Sequence, residues 1–289
     1  MIPLDLPALS DNASEKVRRA SAYLTSRLQK RNGLDLRELL LPLTVQSYYS
    51  KSLTPDTLLK WSDGKDLLWI PRFRFQRTRV VKDRIKLGIF AGIHGDEPAG
   101  ILGVMDFLRE LDRDPEVGRN FELWIYPVCN PAGCLDGTRH LRNGSDPNRL
   151  FWQSSKQPEI AALEQEIAKQ RFDGIIALHS DDTSPGFYGY ARGNVLAREL
   201  LAPALKAAQT VQEIDRRPFI DGFRAVNGIL HDAFDGILSA PPAQSPQPFE
   251  IILESPANSP IDDQRLAFQR ALIAILDETR RFVSFGSNL

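Results

Sequence analysis

Four short, almost unbroken apolar runs, at 85–92, 123–128, 174–178 and 249–253, each end abruptly in polar or turn-forming residues. Runs of this length are strand-sized, and apolar residues at nearly every position mean that both strand faces are covered. Strands of that kind belong to a sheet packed between helices, and helical patterns do fall between these runs. In open sheets of this class ligands collect beyond the carboxyl ends of the strands. The chain places its reactive side chains there: His94 and Glu97 after the first run, Asn130 after the second, His179 with Ser180, Asp181 and Asp182 after the third, and Glu254 after the fourth. The whole chain holds four histidines, so finding two of them at strand ends is a concentration rather than a scatter.

The remaining pattern predicts a helix over 14–31, with Val17, Ala20, Leu24 and Leu28 on one face, and edge strands over 39–53 and 67–75. Pro98 stands where a first helical turn tolerates proline, and Ile101, Val104, Met105 and Leu108 follow at helical spacing to about 111. Further helices are expected from Pro158, with Ile160, Leu163 and Ile167 inward, over 195–210, and over 263–282, with Phe268, Leu272, Ile275 and Leu276 inward. The prolines of 239–248 make that stretch a loop just ahead of the Glu254 strand. No repeat or linker interrupts the chain. One domain over 1–289 is therefore expected, with 1–80 as an N-terminal helix and edge strands and 81–289 as the catalytic core.

Hydrophobic residues at 42% and charged residues at 25% suit a globular protein with a sizeable core. A net charge of −1 and a pI near 6.5 give no support to nucleic-acid or membrane-surface binding. Two cysteines, Cys129 and Cys134, do not make a disulfide framework. The N-terminus lacks the charged and apolar regions of a secretory signal, and no apolar run reaches the ~18 residues of a spanning helix, so a cytoplasmic location is expected.

His94 and Glu97, three residues apart on a turn after a strand, can offer two ligands to one metal ion; Zn2+ accepts imidazole nitrogen and carboxylate oxygen, and hydrolytic sites add a third protein ligand and a water. The segment 137–151 has neither helical nor strand periodicity and is a loop carrying Arg139, Arg142 and Arg149. Planar guanidinium forks of that kind bind carboxylates in pairs of hydrogen bonds, so the loop is a candidate anion-binding surface. Asp96, Asp181 and Asp182 lie near these groups, and His140 is expected on the surface.

Taken in order, His94-x-x-Glu97, Arg139 with Asp146-x-Asn148-Arg149, His179-Ser180 and the late Glu254 resemble the zinc metallocarboxypeptidase superfamily. That superfamily includes the murein peptide amidases and the succinylglutamate desuccinylase/aspartoacylase deacylases. The resemblance implies a single-domain α/β/α sandwich with a mixed, largely parallel central sheet. It also implies one Zn2+ per chain held by His94, Glu97 and His179, with Glu254 as general base. Arg139 looks like the residue beside the oxyanion, with Arg142 close enough in the loop to compete. Asn148 and Arg149 look like the clamp on a substrate carboxylate, and Asp146 like the hydrogen-bond partner of His94. The chain departs from the digestive enzymes of the superfamily in having no tyrosine between Asp221 and Pro248, where theirs sits on a mobile loop; His231 and Asn227 are the candidates to replace it.

The expected activity is hydrolysis of an amide bond next to a free carboxylate, in a small peptide, as in a carboxypeptidase or murein-peptide amidase. Gly137-Thr-Arg139 with Gly144-x-Asp146-x-Asn148-Arg149 resembles the amidase form of the motif. An N-acyl amino-acid deacylase is the second reading; the short stretch after Glu254 does not look like the β domain that branch usually carries there. A zinc-bearing binding protein without activity is the third, and the retained base and arginines argue against it.

Overall fold

The computed structural model describes residues 35–77, 84–193 and 195–286. The helix expected over 14–31 lies outside them. The strands are β1 (Leu53–Ser62), β2 (Leu67–Gln76), β3 (Ile85–Phe90), β4 (Phe121–Tyr126), β5 (Gly174–Asp181), β6 (Tyr188–Gly193), β7 (Phe219–Ile220), β8 (Phe223–Val226), β9 (Ile229–Leu230) and β10 (Phe249–Pro256). The helices are α1 (Leu36–Tyr49), α2 (Pro98–Arg113), α3 (Pro131–Asp136), α4 (Pro158–Gln170), α5 (Leu196–Ala208) and α6 (Ile261–Gly286). Proline opens α2, α3 and α4, where its missing N–H has no intrahelical partner to lose.

All ten strands join one mixed sheet in the order β1-β2-β4-β3-β5-β10-β6-β9-β8-β7. The four apolar runs become its centre: β4, β3, β5 and β10 are mutually parallel. Both flanks attach antiparallel, through β2 on β4 and through β6 on β10. The parallel character expected from the sequence thus lies chiefly in the strands covered on both faces, with the short β6–β9 pair the other parallel one among the described residues.

Each face has its own core. Leu39, Leu43, Leu108, Leu201, Leu272 and Ile275, from α1, α2, α5 and α6, pack on Ile89, Ile125, Ile176, Leu178, Ile251 and Leu253. On the other face α4 brings Ile160, Leu163 and Ile167 against Phe90, Tyr126, Ile175, Ala177, Tyr190 and Ile252, with Phe151, Ile237 and Leu238 from loops. The period of two along a strand separates the sets: Leu178 and Leu253 face the first core, while His179 and Glu254 share the face of Ala177 and Ile252.

One element departs from expectation. Residues 36–49 form a helix rather than the start of a strand over 39–53, and the strand begins at Leu53. The buried leucines are Leu36, Leu39, Leu40 and Leu43, a spacing that lines one face of a helix and would be split between both faces of a strand. The strand expected over 67–75, and the helices at Pro98, Pro158, 195–210 and 263–282, are present with small shifts of boundary. No helix among the described residues is long and apolar enough to cross a membrane.

Candidate active site

After β3 the chain leaves the sheet at Gly92, whose positive φ of 59° suits glycine. Gly95 then packs backbone to backbone on α3: a Cβ there would lie 1.9 Å from the carbonyl carbon of Gly133. The Gly95 N–H donates to the Thr138 carbonyl at 3.0 Å. This close approach sets His94 and Glu97 on either side of a fixed point, and Pro98 starts α2 at once, leaving Glu97 as its N-terminal cap residue. His179 comes from β5 and Glu254 from β10; they are register partners on adjacent parallel strands.

The structure brings His94, Glu97 and His179 together, all buried, with one ligand atom of each within 4.8 Å of the others. Glu97 lies between the two rings: its Oε1 is 2.6 Å from His94 Nδ1 and its Oε2 is 2.9 Å from His179 Nδ1. The Ser180 N–H also donates to Glu97 Oε2, at 3.1 Å. Behind His94, Asp146 Oδ1 is 3.1 Å from Nε2. Arg139 donates through Nε and Nη2 to Asp146 Oδ2 at 3.2 and 3.1 Å, and its Nη1 lies 3.6 Å from Glu97 Oε1.

These contacts set the local charges. Burial pushes the Glu97 carboxyl up, but the two imidazoles outweigh it and hold the group at about 2. Burial lowers His94, yet Glu97 and Asp146 together raise it to about 9, whereas burial dominates at His179 and lowers it. The same carboxylate favours charge on both rings, and burial overrides it at His179. Burial raises Asp146, and His94 and Arg139 bring it below the usual carboxylate range. Glu254 is pushed well up by burial, then by Glu97, Asp181 and Asp221. It makes no hydrogen bond or ion pair among the described residues, so its carboxyl is free to face the cavity beside the cluster.

That cavity measures about 620 Å³. His94, Glu97, His179, Glu254, Arg139, Asn148 and Arg149 all line it. Asn148 reaches it with its amide already engaged: Oδ1 accepts from the Leu238 N–H at 2.9 Å and Nδ2 is 3.4 Å from His179 Nε2. The Arg149 guanidinium donates through Nη1 to the Asn148 carbonyl at 2.8 Å and makes no other hydrogen bond or ion pair among the described residues. Asp96, Asp181 and Asp182 also face the cavity, and His140 is exposed outside it.

Two expectations are corrected. Arg142 does not line the cavity; it reaches the β1–β2 turn, where it pairs with Asp63 and Asp66 as well as with Asp136. Three carboxylates hold its guanidinium there and leave it no fork for a substrate. His231 and Asn227 line a separate cleft with Arg198, Lys206 and Arg216, so neither replaces a lid tyrosine.

The structure also adds residues that the sequence reading missed. Tyr188 and Tyr190 on β6 line the cavity, and Tyr188 is the antiparallel partner of Glu254. Their hydroxyls donate to Asp221 Oδ2 at 3.1 and 2.8 Å, and the Tyr188 hydroxyl also lies 3.0 Å from Asp181 Oδ2. The signal is present in the sequence as Tyr188-Gly-Tyr190, alternating toward one face, but a strand this short and interrupted by glycine carries little pattern.

Residues 83–214 match the family model of the succinylglutamate desuccinylase/aspartoacylase catalytic domain, a stretch that includes His94, Glu97 and His179 and ends before Glu254. No curated protein sequence is significantly similar to the chain. The fold is that of solved metallopeptidases. A Shewanella denitrificans OS217 protein assigned as a metallopeptidase superposes with a TM-score of 0.70 at 24% identity, over 83% of this chain and 89% of that one. A metallo-carboxypeptidase from Pseudomonas aeruginosa, solved with (2-guanidinoethylmercapto)succinic acid, gives 0.63 at 17% identity, over 84% and 69%. Carboxypeptidase A from Helicoverpa armigera gives 0.62 at 16% identity, over 93% and 80%. At these identities the likeness is one of fold. The sequence match, over residues 83–214, adds a likeness of that part of the chain to the succinylglutamate desuccinylase/aspartoacylase catalytic domain.

Proposed function

We propose that the protein is a zinc-dependent hydrolase that cleaves an amide bond next to a free carboxylate in a peptide-type substrate. The observation that carries this reading is the placement of His94, Glu97 and His179 around one point, with Glu254 on the neighbouring strand and Arg149 in the same cavity. Two imidazoles and one carboxylate are a hydrolytic zinc donor set that leaves a coordination position open. The accessory contact fits as well: Asp146 accepting from Nε2–H of His94 leaves Nδ1 unprotonated and aimed at the metal position. When bound, zinc supplies Lewis acidity to a water molecule and to the scissile carbonyl.

The protein groups divide the remaining work. Glu254 accepts a proton from the attacking water and delivers it to the leaving nitrogen. Arg139, oriented by Asp146, presents Nη1 toward the cluster, where the carbonyl oxygen gains charge. Arg149 pairs with the substrate carboxylate through nitrogens not engaged by Asn148. Asn148 contributes chiefly by holding Leu238 and His179 in place.

The match to the deacylase catalytic domain favours a second reading, hydrolysis of small N-acyl amino acids. The charge of the cavity supports the peptide. Asp96, Asp181, Asp182 and Asp221 face it beyond the carboxylates already given roles, which suits a substrate carrying a free amine and disfavours one that brings several carboxylates. A comparison of kcat/KM on a murein tripeptide with that on N-succinyl-glutamate and N-acetyl-aspartate, using zinc-loaded protein, tests the choice. Faster hydrolysis of the tripeptide is expected; a strong preference for either acyl amino acid would assign the chain to the deacylase branch. Zinc binding without turnover of any amide would leave only a binding role.

A further inference from the structure

Arg149 is exposed, and a long cationic side chain on a surface loop ordinarily samples many rotamers. Here one segment, 234–239, restrains it and the loop that carries it. The Phe234 ring lies against the guanidinium, with Cζ 4.3 Å from the ring centroid. Phe234 is itself held edge-on by Phe223, at 5.0 Å and 72°. Two residues on, Gly236 comes so close that a Cβ would sit 2.5 Å from the Arg149 carbonyl carbon and oxygen, and its φ of 75° also favours glycine. The Gly236 carbonyl accepts from the Phe151 N–H at 3.1 Å, and the Ser239 carbonyl from Trp152 Nε1 at 3.0 Å. The segment thus touches residues on both sides of Arg149 and the guanidinium itself.

We propose that Phe234 is a positioning residue for the substrate carboxylate: with Gly236 it aims the Arg149 fork into the cavity and so sets the preference for a free carboxylate. This rests on the reading of Arg149 as the carboxylate partner. The aromatic face suits the role. It attracts the cation without using any of its N–H groups, whereas an acidic neighbour would neutralise the charge and occupy the fork. The Asn148 carbonyl fixes one nitrogen, the ring fixes the plane, and the other nitrogens stay available.

The test uses two probes, the murein tripeptide L-alanyl-γ-D-glutamyl-diaminopimelate and the same peptide with its diaminopimelate carboxyls amidated. Binding to the zinc-loaded full chain is measured by calorimetry in the Glu254→Gln background, where turnover does not interfere, with thermal unfolding and zinc content as controls. Phe234→Leu should weaken the free acid about three- to ten-fold, leave the amide unchanged, and be rescued by Phe234→Tyr, following the usual strength of a cation over an aromatic face. Gly236→Ala should act in the same direction through the backbone. Equal weakening of both probes by Phe234→Leu, or rescue by Phe234→Met as complete as by Phe234→Tyr, would make Phe234 a mere wall and overturn the proposal. Arg149→Ala separates the two levels. If it abolishes the acid-over-amide preference while Phe234→Leu preserves it, only the positioning role fails. If Arg149→Ala leaves the preference intact, or the parent binds neither probe, the reading of Arg149 fails and the proposal with it.

Discussion

Glu254 and His179 are register partners on adjacent parallel strands, one step apart across the centre of the sheet. Neighbouring strands lie about 4.8 Å apart, so the spacing between the proposed base and a proposed metal ligand is set by backbone hydrogen bonds rather than by a loop. Tyr188 continues the row on the next strand.

Glu254→Gln should preserve the fold and zinc content while lowering kcat about 10²- to 10⁴-fold, because the amide cannot take the water's proton. Steady-state kinetics beside metal analysis check this. Loss of zinc from the variant would show that Glu254 is a ligand and not the base.

Asp146→Ala should weaken zinc affinity about 10- to 100-fold, since nothing would then hold the proton on the His94 Nε2 side. Arg139 loses its partner in the same variant, so activity at saturating zinc should fall as well. Competition against a chromophoric chelator measures the affinity; an unchanged value would make Asp146 a partner of Arg139 alone.

Gly95→Ala should lower zinc affinity by at least about 10-fold, as removal of a supporting contact typically does, together with the unfolding temperature. The added methyl would meet backbone of α3, which cannot rotate away, so the turn bearing His94 and Glu97 must shift. A variant with parental zinc affinity would show that α3 moves instead.

Glu250→Gln should raise the unfolding temperature at pH 7, on the order of a degree or two, with the advantage vanishing near pH 4. Glu250 is buried in β10 and accepts the Ala240 N–H at 2.7 Å, a bond that the Gln carbonyl can keep. Burial raises its pKa, with the Ala240 bond and Arg192 opposing. A carboxyl raised on folding binds its proton more tightly when folded. Its contribution is therefore complete below the unfolded value and is lost as pH climbs through the raised one. Differential scanning calorimetry across pH 4 to 8 reads the gap, and a gap independent of pH would refute the assignment.

The central strands and the side chains at their ends were legible because burial on both faces writes a continuous apolar run, and the polar residue that ends it stands out. α1 was misread because three consecutive leucines hide the helical spacing of the buried ones. The aromatic wall formed by Tyr188 and Tyr190 escaped notice because short, glycine-interrupted strands such as β6 carry little pattern of their own; their partners determine them. The arginines of 137–151 share one motif, and only the three-dimensional path could show that Arg142 turns back to Asp63 and Asp66 while Arg139 and Arg149 face the cavity. His231 and Asn227 were nominated by position in the chain, which says nothing about the direction in which that loop folds.

β10, late in the chain, lies between β5 and β6 in the middle of the sheet. During synthesis, the segment carrying His94, Glu97 and His179 emerges well before Glu254, so a nascent chain can gather the proposed metal ligands while still lacking the proposed base. Pairing a late strand with an early one is a slow, long-range event. Until it occurs, β5 and β6 each present an open edge, which makes the interval before β10 docks the point of greatest exposure to aggregation. A stop codon ahead of β10 would remove a central strand rather than trim the border, leaving β6 to β9 with no partner on β5.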